Sequence, residues 1–69
     1  MTYDADADAA YIYVSDSIAP GEAVTQRVVD DTPEAEVILD FDKDDRLLGI
    51  ELLGARRLLR SESLPPDEG

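Results

Sequence analysis

Apolar and polar residues alternate most regularly across residues 37–53, VILDFDKDDRLLGIELL. Val37, Leu39 and Phe41 recur at every second position before an acidic run, and Leu48, Ile50 and Leu52 recur after it. A period of two is the signature of a half-buried strand, so this stretch predicts a β-hairpin. Placing Asp44 and Asp45 at the tip of a two-residue loop opposes Phe41 with Leu48, Leu39 with Ile50 and Val37 with Leu52. Directly opposed residues share a side, so these apolar side chains form one face. A slip of one residue would mix polar and apolar residues on both faces, so burial selects the first register. A four-residue loop, 43–46, keeps that register and leaves the loop length open. Asp-Asp is a weak turn former because the second central position wants positive φ.

The same reading extends along the chain. Residues 1–3 add a short strand. Residues 4–9, DADADA, read as a tight turn containing one helical turn, since Asp bonds nearby backbone N–H groups. A carboxylate metal loop is the competing reading there. Residues 10–15, AYIYVS, form a strand with Ala10, Ile12 and Val14 on one face and Tyr11 and Tyr13 on the other. The tyrosine pair is a candidate interface; packing beneath a helix is the alternative. Ala19-Pro20-Gly21-Glu22 fits a type II turn. Residues 23–29 form a third strand and 30–35 a loop interrupted by Pro33. Residues 54–60, GARRLLR, change to helical spacing and predict a short helix docked on the sheet. Residues 61–69 hold Pro65-Pro66 and polar residues, and read as a flexible tail. The expected fold is α+β and mostly β: an antiparallel meander of four or five strands in chain order, with a short C-terminal helix packed on it. Residues 1–60 form the single small domain.

Composition sharpens this picture. A chain of 69 residues buries only about 60% of its unfolded surface. With no Cys and no His, neither disulfides nor thiolate or imidazole metal sites can reinforce it. Small domains without such staples often gain burial by association, so a homodimer or a complex with another protein is expected. The net charge of -11 argues against nucleic acid and anionic membrane surfaces, and favours a basic protein partner. No stretch approaches a membrane span, and the N-terminus lacks the pattern of a signal peptide. The expected compartment is the cytoplasm. The acidic balance would also suit a high-salt cytoplasm, although an ordinary acidic protein is the simpler reading.

The acid-rich hairpin has candidate metal chemistry. Asp40, Asp42, Asp44 and Glu51 match positions one, three, five and twelve of an EF-hand loop. Asp45 stands where that loop needs Gly, and the flanking segments are strands, so the motif is rejected. A simpler site remains: Asp40, Asp42 and Glu51 share the polar face in the preferred register, with Gly49 leaving room above the backbone for Ca²⁺ or Mg²⁺. The competing reading has these carboxylates hydrated and partly paired with Arg27, Arg46 or the helix arginines. No catalytic residue is assigned, because no nucleophile has an identifiable base; an enzyme completed at a dimer interface is the remote alternative.

Tyr3-Asp4, Asp8-Ala9-Ala10-Tyr11-Ile12, Asp40-Phe41-Asp42 and Gly49-Ile50-Glu51-Leu52-Leu53, in this order and spacing, resemble the small prokaryotic domain-of-unknown-function 2283 family. The resemblance covers nearly the whole chain to about Leu53. Two positions depart from the family's pattern: Asp45 replaces a tip Gly, and Ala10 replaces a larger apolar residue. The resemblance implies a compact β-rich domain of bacterial or archaeal source and no established activity. Neighbouring toxin-like genes in such families imply a partner-binding role, with an antitoxin-like protein as one version. The expected function is therefore a non-enzymatic acidic interaction module, with divalent-cation binding as the alternative.

Overall fold

A computed structural model describes residues 1–66. One antiparallel sheet holds β1 (Thr2–Asp4), β2 (Ala9–Tyr13), β3 (Thr25–Asp31), β4 (Glu36–Phe41) and β5 (Leu47–Leu53), followed by a short helix α1 (Ala55–Leu58). The mostly β architecture with a small docked helix is as expected.

The strand order is not that of the chain. It runs β1-β2-β5-β4-β3, so β2 lies against β5 and β3 forms the far edge. The reason lies in the connection between β2 and β3, residues 14–24. Neighbouring antiparallel strands are usually joined by two to five residues, and this link is longer. It is long enough to cross two intervening strands at about 4.8 Å each. Strands β3, β4 and β5 are joined by hairpins, and β2 returns beside β5, which is a Greek-key arrangement. The type II turn expected within the link is present: Glu22 N donates to Ala19 O at 3.0 Å, and Gly21 has φ 79.

The central hairpin keeps most of its predicted register. Leu39 faces Ile50, Val37 faces Leu52 and Asp40 faces Gly49, but Phe41 faces Leu47 rather than Leu48. The cause is the loop. Asp42 N donates to Arg46 O at 3.0 Å and Asp45 N to Asp42 O at 3.1 Å, with Asp45 left-handed at φ 60. This is a three-residue loop, a turn followed by a left-handed residue and a bulge. Asp42 Oδ1 accepts the Asp44 and Arg46 amides and braces it.

The helix packs on the face bearing Ala10 and Leu52. Tyr3, Ala10, Leu52 and Ala55 form the buried cluster, with Ile12, Val37, Ile50, Leu58, Leu59 and Leu64 packed against it. Of the six hairpin residues expected to be inward, only Leu48 and Leu52 are buried; the others are half-buried. A four-residue helix cannot cover a five-strand sheet. Beyond its reach the Arg27 guanidinium covers Phe41, 4.5 Å from the ring centre.

Asp8 ties the helix down. Its carbonyl accepts Gly54 N at 3.0 Å and Ala55 N at 2.9 Å, and its Oδ1 accepts Arg56 N at 3.1 Å. These satisfy amides that a helix start leaves without intrahelical partners. The Tyr3 hydroxyl donates to the same oxygen at 2.9 Å. Residues 4–9 thus act through turn chemistry, with Asp4 Oδ1 accepting the Asp6 and Ala7 amides. The packed chain runs past residue 60: Ser61–Ser63 form a 3-10 turn and Leu64 rests on the core. Residues 67–69 of the expected tail lie outside the described residues.

Candidate functional site

With the helix on one face, the opposite face of the sheet is open. Strand alternation and register place Tyr11 and Tyr13 there from β2, Gly49 and Glu51 from β5, and Ile38 and Asp40 from β4. The helix-covered alternative for the tyrosines is thereby corrected, because α1 docks behind Ala10 rather than over Tyr11.

In the hairpin register Asp40 belongs to the polar face that alternation turns to water. It is instead buried, 6% exposed. Tyr11 Oη donates to Asp40 Oδ2 at 2.8 Å, and Gln26 Nε2 donates to Oδ1 at 3.0 Å. Both carboxylate oxygens are therefore bonded, which offsets the cost of taking the group out of water. To reach Asp40 from β2, the Tyr11 side chain must cross β5. It does so at Gly49, where an added Cβ would run into the Tyr11 hydroxyl. The space above Gly49 that the sequence suggested for a cation is filled by tyrosine. Tyr13 sets its ring edge-on to Tyr11, centroids 4.8 Å apart at 69°. Burial, then the hydrogen bond and charge of Asp40, raise the Tyr11 hydroxyl well above the ordinary tyrosine value. Tyr11 thus remains a protonated donor at neutral pH.

The three carboxylates proposed for Ca²⁺ or Mg²⁺ are not gathered. Asp40 is engaged by Tyr11 and Gln26, Asp42 by the loop amides, and Glu51 sits opposite Ile38 and Tyr11. Among the described residues no group of three acidic side chains could hold a metal ion. The helix arginines do not reach these acids either: Arg56 approaches Asp8 at 3.9 Å and Arg57 approaches Glu34 at 3.6 Å.

The open face also carries a groove of about 340 Å³, lined by residues including Thr2, Asp4, Ala9, Tyr11 and Glu51. Its charged lining residues, Asp4 and Glu51, are acids. None of the six basic residues occupies a strand position on this face. Arg27 faces the helix side over Phe41, Lys43 and Arg46 flank the hairpin tip, and Arg56, Arg57 and Arg60 follow β5.

The sequence matches the model of a family described as protein of unknown function (DUF2283) over residues 1–56. The chain belongs to this family. No curated protein matches it, and no solved structure does. The DUF2283 match spans all five strands and ends within α1, so the Tyr11–Gly49–Asp40 arrangement lies wholly inside it, whereas Leu58, Leu59 and Leu64 lie beyond it. No helix among the described residues is long and apolar enough to cross a membrane.

Proposed function

We propose that this DUF2283 chain is a non-catalytic interaction module whose open sheet face receives a basic protein partner. The observation that carries this reading is the make-up of that face: an exposed Tyr13, a half-buried Tyr11 and Ile38, flanking acids, and no base at any of its strand positions. Aromatic side chains with polar tips suit protein contacts because they bury large area with little loss of rotamer freedom. The acids supply complementarity, and the net charge of -11 steers a cationic partner and speeds its arrival. The chemistry present supports the non-catalytic reading. There is no His or Cys, and among the described residues the one buried carboxylate, Asp40, has both oxygens occupied.

Titration of the labelled protein with a synthetic peptide alternating Lys or Arg with Leu, followed by amide chemical shifts, tests this. The reading expects shifts concentrated at Tyr11, Tyr13, Ile38 and Glu51, and loss of binding in Tyr13→Asp. Shifts spread evenly over all exposed acids, Asp16 and Asp44 included, would refute it.

A further inference from the structure

We infer that β3 is a self-recognition edge, along which two copies of this chain pair antiparallel about a two-fold axis through the Val28–Val29 bulge. The inference does not depend on the open-face reading, since it uses the rim of the sheet rather than its face. Strand β3 is an outer strand of seven residues, whereas the opposite edge, β1, has three. Among the described residues no strand pairs with its outer side. Such an edge presents backbone donors and acceptors ready to pair with another strand. It also presents Val28 and Val29, 53% and 58% exposed, at its centre.

The bulge decides the pairing. Arg27 lies opposite Leu39, and Asp30 lies opposite Val37, with the register shifting between Val28 and Asp30. Leu39 and Val37 are on the helix-bearing face, so Arg27 and Asp30 share that face although they are three residues apart. In a regular strand they would point to opposite faces. A two-fold axis through the bulge therefore sets Arg27 of each copy directly across from Asp30 of the other. Four valines, two from each copy, gather at the axis. Opposite charges facing each other across an antiparallel pair are favourable, and like charges are not. Placing the axis on Arg27 would set Arg27 against Arg27, and placing it on Asp30 would set Asp30 against Asp30, so charge favours the bulge-centred register over both. Arg27 has a competing contact, Asp45 at 3.4 Å, but both side chains are more than half exposed. Pairs of that kind are weak and exchange readily.

The test is sedimentation of the full chain across a concentration series, alone and as Arg27→Asp and Asp30→Arg variants. The wild type is expected to dimerise, and each variant to raise the dimer dissociation constant by at least about tenfold through like-charge facing. Mixing the two variants restores opposite charges on both sides of the axis, and the mixture is expected to form a heterodimer of wild-type affinity. Asp30 is exposed and away from the core, so Asp30→Arg keeps the test valid if Arg27→Asp loosens the packing over Phe41; the double variant Arg27→Asp/Asp30→Arg should then dimerise by itself. A wild type that stays monomeric throughout overturns the inference. So does a dimer indifferent to both variants, or variants that are not rescued by mixing or by the double exchange.

Discussion

Tyr11 reaches Asp40 across an intervening strand, its hydroxyl donating to Oδ2 at 2.8 Å while the ring passes over Gly49. With Gln26 on the other carboxylate oxygen at 3.0 Å, the contact links β2, β4 and β3 over β5. Backbone ladders join only adjacent strands. This side-chain tie acts across the sheet and fixes the shape of the open face.

Gly49→Ala should break the tie. The added Cβ would meet the Tyr11 hydroxyl, so the ring must leave and Asp40 loses a donor. Loss of stability of about 1–3 kcal/mol is expected by urea denaturation. Because both changes act on one contact, Gly49→Ala in a Tyr11→Ala background should cost much less than in the wild type.

Tyr11 should be the pH-sensitive member. Its hydroxyl is raised above the unfolded value of about 10, so its contribution is fully present below that pH. Stability should fall as pH rises above about 10 toward the folded value, where the phenolate would form beside Asp40. Asp40→Asn removes the facing charge and should lower the Tyr11 titration midpoint, read from the ring carbon shift in an alkaline NMR titration.

Asp45→Gly should stabilise the protein. Asp45 is left-handed at φ 60, a conformation that costs non-glycine residues roughly 1 kcal/mol. The lost contact to Arg27 is an exposed 3.4 Å pair of little worth. A rise in the urea midpoint with unchanged slope is expected.

Asp8→Ala should loosen α1. It removes the acceptor for Arg56 N and the Tyr3 hydroxyl, at about 1–2 kcal/mol. Hydrogen exchange should accelerate most at Arg57, Leu58 and Leu59, whose amides bond within this short turn.

Much of this fold could be read from residue pattern because the relevant forces are local. The pairing of Leu39 with Ile50 follows from alternation, and the turn at Gly21 follows from Pro-Gly chemistry. The departures are non-local. Pairing in chain order puts β2 beside β3 and leaves Asp40 without Tyr11, as a solvated acid, whereas the observed order brings β2 beside β5. Two signals pointed the other way. Residues 14–24 are long for a hairpin link, and a Gly inside the apolar run LLGIELL marks a close approach. The glycine marks room above the backbone, and the occupant of that room, Tyr11, comes from a strand distant in sequence. The bulge at Phe41 followed from Asp45 accepting a left-handed turn that its residue type does not favour.

Proton–proton contacts in a NOESY spectrum probe the arrangement at its centre. Strong cross-peaks are expected between the Tyr11 ring and the Gly49 α-protons, with those protons shifted upfield by the ring current. Absence of these peaks, with β2 backbone contacts running to β3 instead of β5, would contradict this arrangement.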